Sequence, residues 1–314
     1  MSRLALEVQD LAKIYNSAGK PVRAVDGVSF TVEPGTIFGL LGPNGAGKST
    51  MLRMLTTLTR PTRGSARILG FDVVRKPLEV RRRISSVIQE TAAELLLSVR
   101  DNLITFARFH GIAHELAMKR GGEAMDRFQL QPLADRKVQD LSGGYRRRVQ
   151  VAKVFMVETP VLFLDEFSTG MDPLLKRNVI AQLREESRRG RTIVLTTQIL
   201  SEAEALCDDI LIMNHGREIA RGDLNTLKLL SQGVYEITMT FDRMPEGIAS
   251  ELARLDALRT HVDQNTIELT LKAAHGSVLE TVTALACNRR VLRIEVNGAS
   301  LEDVFVELMQ GRTS

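Results

Sequence analysis

Ile37-Phe38-Gly39-Leu40-Leu41 runs directly into Gly42-Pro43-Asn44-Gly45-Ala46-Gly47-Lys48-Ser49-Thr50, which is followed by Met51-Leu52-Arg53-Met54-Leu55. The first run is short and apolar, which predicts a buried strand, and the third has the apolar spacing of a helix. The middle stretch matches the phosphate-binding pattern G-x-x-x-x-G-K-[ST]. Strand, loop and helix in this order predict an α/β fold built around a phosphate site, with Gly42 to Thr50 as its candidate binding residues.

The residue types of this loop suit an anionic ligand. Glycines allow consecutive backbone N–H groups to turn towards one anion, and the helix that begins near Lys48 adds the positive end of its dipole. Lys48 supplies a cation for the β- and γ-phosphates of a nucleotide, and the Ser49 hydroxyl is suited to ligate Mg²⁺.

Length and composition describe an ordinary globular chain. It has 314 residues, 44% hydrophobic and 25% charged, a formal net charge of +4 and a pI near 9.2. This length favours two domains. The charge excess is too small to choose between a membrane surface and nucleic acid as partner. No run approaches the roughly 20 apolar residues that span a bilayer, so we expect any membrane role to depend on a partner protein.

A second group of candidate residues follows the apolar run Val161-Leu162-Phe163-Leu164. Four apolar residues in a row are typical of a strand buried on both faces of a parallel sheet. The next residues, Asp165 and Glu166, should therefore emerge at the edge where open α/β sheets bind ligands. We expect Asp165 to hold Mg²⁺ directly or through water, and Glu166 to orient or deprotonate the attacking water.

The chain between and after these strands contains further motifs. Residues 90–157 read mainly as helix, interrupted at Gly121-Gly122, and should form a helical lobe that carries Leu141-Ser142-Gly143-Gly144. Asp172 before Pro173 is a helix N-cap. Gln198 follows the strand predicted over 192–196, and Ser201 with Glu204 is predicted to form a capping box.

Residues 1–221 are predicted to form the nucleotide-binding domain and residues 222–233 a connector. Residues 234–314 then read as strand, helix, two strands, helix and strand, with the first helix over 246–258 and a final helix over 301–309. This order is that of a ferredoxin-like unit. Few of its residues suggest chemistry, so we expect this domain to act in regulation or assembly.

The first 220 residues or so resemble the ATP-binding cassette of ABC transporters. The resemblance rests on the order of the phosphate loop, Gln89, Leu141-Ser142-Gly143-Gly144-Tyr145, Leu164-Asp165-Glu166 and Asp172. Two further stretches are similar to the ABC-2 exporter ATPases, nearest to the daunorubicin-type drug-resistance group: Arg146-Arg147-Arg148 and, late in the chain, Ser300-Leu301-Glu302-Asp303-Val304-Phe305. The implied fold is an α/β P-loop cassette with a mostly parallel sheet core, a helical lobe and a small antiparallel sheet, plus the smaller C-terminal α+β domain.

The resemblance also implies the activity and its cofactors. ATP and Mg²⁺ are expected, and the chain is expected to be an ATPase whose hydrolysis drives export. Tyr15, which lies in a polar stretch between strands predicted over 4–8 and 29–32, would stack on adenine. Gln89 would link Mg²⁺ and water to the membrane subunit, and Asp172 would lie at the seam of a dimer.

Two partners are implied: an integral membrane permease and a second copy of the chain. Ser142, Gly143 and Gly144 would close over the nucleotide of the other copy. No nucleic acid partner is expected, and the location would be peripheral, on the cytoplasmic face of the plasma membrane. Glu90 to Leu97 would form a groove for a short cytoplasmic helix of the permease, unless Leu95-Leu96-Leu97 simply fill the helical lobe.

Two residues depart from the usual family pattern. Tyr145 stands where Gln is common, and Gln198 stands where His is usual. Gln198 can still donate an amide hydrogen to the γ-phosphate but cannot carry a proton. Two alternatives remain. One is a cytosolic ABC protein that acts on ribosomes or DNA, although the second cassette or coiled coil usual in those proteins is not evident. The other is a non-hydrolysing nucleotide-binding regulator, which only Gln198 suggests.

Overall fold

A computed structural model describes residues 4–17, 20–87, 93–230, 234–255, 257–272, 275–287, 289–298 and 300–310. Gln89 lies outside these described residues, as does part of the expected groove over 90–97. The chain divides into two compact units, Met1–Arg221 and Gly222–Ser314.

The first unit contains two sheets and a group of helices. Its strands are β1 (Leu6–Ser17), β2 (Lys20–Val32), β3 (Ile37–Leu41), β4 (Arg63–Ile68), β5 (Phe71–Asp72), β6 (Ile84–Val87), β7 (Val161–Asp165), β8 (Thr192–Thr197), β9 (Asp209–Asn214) and β10 (Arg217–Gly222). Its helices are α1 (Lys48–Leu55), α2 (Pro77–Arg81), α3 (Val99–Phe109), α4 (His114–Arg127), α5 (Gly143–Val154), α6 (Pro173–Arg188) and α7 (Leu200–Leu206).

The central sheet has the order β10-β9-β3-β8-β7-β6. Its β9-β3-β8-β7-β6 part is parallel. Every residue of β3, β7 and β8 is buried, which agrees with strands covered on both faces. Because these three strands are parallel neighbours, the loops that follow them meet at one edge. The phosphate loop, the Asp165-Glu166 pair and Gln198 lie in those loops.

The second sheet has the order β2-β1-β4-β5 and is antiparallel. The two strands predicted at 4–8 and 29–32 are only parts of β1 and β2, so the polar stretch assigned to Tyr15 was wrong. Tyr15 lies within β1, paired with Val22 of β2. Cross-strand pairing stabilises this polar hairpin although its sequence lacks the apolar alternation of a half-buried strand.

The helical lobe contains α3, α4 and α5. The predicted break at Gly121-Gly122 is wrong, because α4 runs through both glycines. A Cβ atom at Gly121 would lie at van der Waals distance, 3.7 Å, from both Ile104 and Met156, so this part of α4 faces packed side chains. Tertiary packing here outweighs the low helix propensity of glycine. Helix α5 begins at Gly143, directly after Ser142.

Helix α7 also differs from its prediction. Its N-cap residue is Ile199, with no side-chain cap, so the Ser201–Glu204 capping box is wrong. The helix starts two residues too early for Ser201 to occupy the N-cap position. Glu202 is instead the acidic residue of its first turn, and it is buried.

The second unit contains α8 (Leu224–Leu230), β11 (Val234–Phe241), α9 (Ile248–Leu252), β12 (Ala257–Asp263), β13 (Thr266–Lys272), α10 (His275–Ala286), β14 (Val291–Gly298) and α11 (Leu301–Gln310). Its antiparallel sheet has the order β12-β13-β11-β14. From β11 to β14, the element order and strand order are those of a ferredoxin-like unit. The predicted helix over 246–258 is shorter, because β12 already begins at Ala257.

Arg191 joins the helical lobe to the central sheet. Its guanidinium is 7% exposed and donates to the carbonyl of Val154 at 3.2 Å and to that of Thr159 at 2.9 Å. It also donates to Ser85 Oγ at 2.8 Å and pairs with Glu186 at 3.3 Å. These partners come from the end of α5, the segment before β7, β6 and α6. One buried cation therefore links four parts of the first unit.

The Arg191→Met variant tests this link. Methionine keeps an apolar stem but leaves several buried acceptors without a donor, and each such loss costs about 1–3 kcal/mol. We expect the free energy of unfolding, measured by urea titration, to fall by about 2–4 kcal/mol. Arg188→Met is the control, since Arg188 is 76% exposed in a helix-surface pair with Glu185 and should change stability by less than about 1 kcal/mol. Equal effects of the two changes would contradict this role.

Candidate active site

The phosphate loop between β3 and α1 has room only for glycine at two positions. A Cβ atom at Gly42 would lie 2.3 Å from the carbonyl oxygen of Met213, and one at Gly47 would lie 2.2 Å from that of Ala24. Gly45 and Gly47 also have φ values of 81° and 102°, which side chains disfavour. The loop therefore packs closely against neighbouring backbone, and its positive φ values curve it. A loop curved in this way can direct its backbone N–H groups to one point.

Lys48, the first residue of α1, lies inside this curve. Its ammonium donates to the carbonyls of Gly42 at 2.7 Å and Pro43 at 2.9 Å, and the residue is 5% exposed. Burial lowers the pKa of Lys48 below its ordinary value, and the carboxylates of Glu166 and Asp165 oppose that shift. The cation is thus held where a phosphate group would meet it.

Asp165, the last residue of β7, is 1% exposed. Its Oδ1 accepts from the hydroxyl of Thr196 at 2.5 Å and from that of Ser49 at 3.3 Å. Its Oδ2 is buried without any hydrogen-bond partner. A buried carboxylate oxygen with no donor is costly, and an oxygen-ligated cation would satisfy it. Ser49 and Asp165 together therefore fit a Mg²⁺ site.

Glu166 begins the loop after β7 with an unusual backbone. Its φ is 46°, a left-handed conformation that costs energy for a side chain other than glycine. Its N–H donates to both the carbonyl and the hydroxyl of Thr196, each at 3.1 Å. Two hydrogen bonds to one threonine therefore hold the backbone of Glu166 in this conformation.

Arg147 of α5 holds the same loop from the other side. Its guanidinium is 7% exposed and donates to the carbonyls of Asp165, Glu166 (2.6 Å) and Phe167 (3.2 Å). The side chain amide of Gln150 accepts a further bond at 2.7 Å. Three consecutive carbonyls bonded to one rigid guanidinium fix the direction of the chain at Glu166. Arg147 is a positioning residue, because it contacts backbone rather than a reacting group.

Glu202 organises the loop that carries Gln198. This carboxylate is 1% exposed and lies 2.5 Å from the ammonium of Lys176. It accepts from Thr197 Oγ1 at 2.9 Å and from the hydroxyl of Ser168. Thr197 immediately precedes Gln198, and Ser168 lies two residues after Glu166. The buried pair of Glu202 and Lys176 thus connects the end of β8 to the loop after β7 and to α6.

One cleft of about 650 Å³ collects most of the predicted residues. Tyr15, 36% exposed, lies in it with the ammonium of Lys13 5.0 Å from its ring centroid. Gln198 and Glu166 lie there with the phosphate loop. The lining residues are Tyr15, Val22, Arg23, Ala24, Asn44, Gly45, Ala46, Gly47, Lys48, Ser49, Thr50, Glu166, Gln198 and His215.

Residues 142–144 do not line this cleft. Gly143 and Gly144 line a second cavity of about 370 Å³, together with Thr169, Gly170 and Glu166. A Cβ atom at Gly144 would lie 2.5 Å from the carbonyl oxygen of Gly170, so the start of α5 touches the loop after β7. Ser142 is the N-cap residue of α5, and its hydroxyl makes no capping bond.

Asp172 also lies outside the cleft. It caps α6 by accepting from the N–H of Leu175 at 2.9 Å, and it pairs with the guanidinium of Arg148 at 2.6 Å. The hydrogen bond from Leu175 and then the charge of Arg148 lower the pKa of Asp172 below its usual range. Arg148 in turn lies 4.6 Å from the ring centroid of Tyr145.

Three residues of the site were missed in the sequence. Arg147 lies in a run of three arginines, and nothing in the local sequence distinguishes it from its neighbours. Glu202 could have been found, because it lies on the same helical face as the apolar Ala203 and Leu206. His215 lies in the turn after β9 and lines the cleft because β9 is the neighbour of β3 in the central sheet. A single sequence does not reveal this strand order.

Comparison with known proteins agrees with this geometry. A family model described as "ABC transporter" matches residues 25–169. The chain is 43% identical to the daunorubicin/doxorubicin resistance ATP-binding protein DrrA of Streptomyces peucetius, over 97% of this chain and 92% of that protein. It is 37% identical to the Nod factor export ATP-binding protein I of Burkholderia thailandensis, over 98% of both chains.

Solved structures show the same fold. An ATP-binding subunit of an ABC transporter, 29% identical, superposes with a TM-score of 0.65 and covers 72% of this chain and 92% of its own. A dimeric ATP-binding cassette with bound ADP and Pi, 23% identical, also gives 0.65, over 70% of this chain and 98% of its own. These similarities agree with the phosphate loop, the carboxylates after β7 and the helical lobe. The chain therefore belongs to the ABC transporter family, as one of its ATP-binding and ATP-hydrolysing proteins.

Proposed function

We propose that this ABC ATPase is the energy-supplying subunit of an ABC-2 type exporter and acts through a separate membrane permease. The observation that carries the proposal is the position of Asp165 and Glu166, side by side at the end of β7 and beside the phosphate loop. The relatives, a drug-resistance protein and a Nod factor export protein, support export over the two alternatives. They give no support to a ribosome-acting or DNA-acting protein or to a non-hydrolysing regulator.

Mg²⁺ would be held by Ser49 and Asp165, the latter through its unpartnered Oδ2. When bound, the ion would neutralise charge on the β- and γ-phosphates of ATP. The backbone N–H groups of the phosphate loop and the Lys48 ammonium would hold the phosphates, and Tyr15 would stack on the adenine ring. Gln89, the third expected ligand, lies outside the described residues.

Glu166 is the proposed base or orienting group for the attacking water. Its carboxylate lies in the cleft with Lys48 and Gln198. Arg147 and Thr196 fix its backbone, so the side chain is presented in one direction without reorganisation at the moment of reaction. Gln198 would donate its amide hydrogen to the γ-phosphate from the next loop, which the buried Glu202 holds in place.

A second copy of the chain would complete the site. Ser142, Gly143 and Gly144 do not line the cleft of their own chain. They start α5, a 12-residue helix whose N-terminal donors suit an anion. A two-fold pair of chains would set these residues against the γ-phosphate in the partner's cleft, which gives two identical sites. Asp172, at the start of α6, would lie near the seam.

The permease contact is proposed for a groove in the helical lobe. Asn102, 2% exposed, bonds the carbonyls of Glu94 and Ser98 and accepts from the N–H of Glu94 at 2.8 Å, which fixes the segment over 94–98. Leu95 and Leu96 on that segment are 50% and 72% exposed. They therefore do not fill the interior of the lobe, contrary to the simpler alternative.

The groove beside this segment combines an apolar rim with charge. Phe109 at its rim is 85% exposed, and Lys153 in its wall is 8% exposed. The Lys153 ammonium lies 5.0 Å from the ring centroid of Phe106. Burial lowers the pKa of Lys153 and the charge of Glu94 opposes that shift. Phe106, Phe109 and Leu97 line this groove, and such an apolar lining suits the apolar face of a short amphipathic helix, which is our proposed occupant. The proposed location of the chain is peripheral, on the cytoplasmic face of the plasma membrane. In the described part of the chain, no helix has the length and apolarity to cross a bilayer.

The Glu166→Gln variant tests the hydrolytic role. The amide keeps the size of the side chain but cannot accept a proton, so hydrolysis should fall by a factor of roughly 10² or more. ATP affinity should be retained and an ATP-bound dimer should accumulate. ATPase assays, nucleotide binding and size-exclusion chromatography measure these three effects. Glu115→Gln, an exposed change on α4, is the matched control, and turnover in Glu166→Gln equal to that control would move the chemistry to another residue.

The Gln198 prediction uses two variants. Gln198→Ala removes a hydrogen bond to a charged group, worth about 1.5–3 kcal/mol, which corresponds to a loss of roughly ten- to a hundredfold in turnover. Gln198→His introduces a group with a pKa near 6.5, so only this variant should gain an inflection between about pH 6 and 8. The measurement is the steady-state ATPase rate of the parent and of both variants across this pH range. An alanine variant as active as the parent would exclude Gln198 as a γ-phosphate donor.

The groove is tested with Phe109→Asp. A charge in the apolar rim should reduce co-purification of the permease from membranes at least tenfold and abolish stimulation of the ATPase by that complex. The basal ATPase of the isolated chain should be unchanged, since Phe109 lies outside the cleft. Leu58→Asp is the control, because Leu58 is 57% exposed in the loop after α1 and is not part of the groove. Undiminished co-purification of Phe109→Asp would contradict the docking site.

A further inference from the structure

The sheet of the C-terminal unit ends in an open strand. Its order is β12-β13-β11-β14, so among the described residues β14 pairs with β11 on one side and with no strand on the other. Such an edge presents unpaired backbone N–H and C=O groups and readily accepts another strand. The β14 residues Val291–Gly298 include neither lysine nor proline, and the edge instead carries an arginine, a glutamate and a bulge.

The two faces of β14 carry different side chains. Ile294 and Val296 lie opposite Met239 and Ile237 of β11, and both of those β11 residues are fully buried in the core under the helices. Directly opposite residues share a face, so Ile294 and Val296 continue this apolar layer. They are nevertheless 42% and 40% exposed. The core layer therefore reaches the edge of the sheet and is left uncovered there.

The other face of β14 carries charge. Arg293 and Glu295 lie opposite Thr240 and Thr238 of β11, and they pair with each other along the strand. The register shifts between Thr240 and Phe241, which makes Leu292 the extra residue of a bulge, 67% exposed. The strand therefore has the pattern apolar, basic, apolar, acidic, apolar over residues 292–296.

We propose that β14 pairs with β14 of a second copy of this chain, antiparallel about a two-fold axis through Ile294. In this register Ile294 meets Ile294, and Arg293 of each copy lies opposite Glu295 of the other. At both ends Val296 lies near the exposed bulge residue Leu292 of the other copy, beyond the regular pairing. One face of the contact is then entirely apolar and the other consists of two opposite-charge pairs, each arrangement favourable between neighbouring strands. The two four-stranded sheets become one sheet of eight strands.

Other registers are excluded by the same side chains. A two-residue shift in one direction places Arg293 opposite Arg293, and in the other direction Glu295 opposite Glu295. A one-residue shift sets charged residues against apolar ones, because side chains alternate between faces. Charge complementarity therefore selects both the second copy as occupant and the axis through Ile294. This contact goes beyond the proposed function, since it needs neither nucleotide nor permease.

Charge reversal in trans tests the contact in the full-length chain without nucleotide. R293E alone puts two acidic residues opposite two acidic residues in its own homodimer, and E295R alone puts basic against basic. Both side chains are exposed, so each variant should fold. By sedimentation velocity, each single variant should dissociate at concentrations where the parent is dimeric, with dissociation constants at least tenfold higher.

A mixture of the two variants provides the decisive arm. In the mixed pair every acidic position faces a basic one, so R293E and E295R together should form a heterodimer about as tight as the parent dimer. Repulsion within each strand persists in the mixture, which separates the contact between copies from any effect inside one copy. A monomeric parent, single variants that still dimerise, or a mixture that stays monomeric would each overturn the proposal.

Disulfide formation gives an independent measurement. Ile294→Cys, made with Cys287→Ser because Cys287 is exposed, sets two thiols opposite each other on the axis. Directly opposite residues of antiparallel strands have Cα atoms about 4.5–5.5 Å apart, which is within disulfide range. We expect most of this variant to form a covalent dimer under mild oxidation. Val262→Cys on the opposite edge strand β12, in the same background and 47% exposed before the change, is the control. Equal crosslinking at both edges, or none at Ile294→Cys, would contradict pairing through β14.

Discussion

The buried carboxylate of Asp165 is the constraint on which the first unit depends. A charge removed from water must be compensated by donors and cations. Here the compensation comes from separate parts of the chain: the hydroxyls of Ser49 and Thr196 bond Oδ1, and the cations of Lys48 and Arg147 lie close enough to interact with it. The second oxygen is left for a ligand. The charge of the Asp165 carboxylate therefore interacts with three elements at the end of β7: the phosphate loop, β8 and α5.

The parallel order of the central sheet explains why a single sequence revealed so much of the site. The phosphate loop and the carboxylate pair each follow an uninterrupted apolar run, and these runs become the fully buried strands β3 and β7. Gln198 follows a third fully buried strand, β8. Because those strands are neighbours, Ser49, Asp165 and Gln198 meet at one edge although they are more than 30 residues apart. Local patterns thus predicted the fold class, the phosphate loop and the carboxylate pair, and the structure confirms the fold class.

What the sequence could not reveal depends on contacts between distant segments. The continuous course of α4 through Gly121 comes from packing against Ile104 and Met156, which a helix propensity does not contain. Tyr15 belongs to a strand only because Val22 pairs with it. The capping box at Ser201 failed because the N-cap of α7 is two residues earlier, at Ile199, and its real organiser, Glu202, acts through Lys176 and Thr197. Exposure is likewise a tertiary property, so the leucines at 95 and 96 could be read either as core or as surface.

The close approach of Gly144 to Gly170 has a consequence for a pair of chains. The start of α5, which is proposed to meet the partner's nucleotide, touches the loop that begins with Glu166 of its own site. A side chain at Gly144 would collide with the carbonyl oxygen of Gly170, and the left-handed φ of Gly170 disfavours a side chain there. Occupancy of one nucleotide site would thus be felt mechanically at the second site. The two sites of such a pair would be thermodynamically linked, so that binding of the first ATP alters the affinity for the second by the same factor in either order.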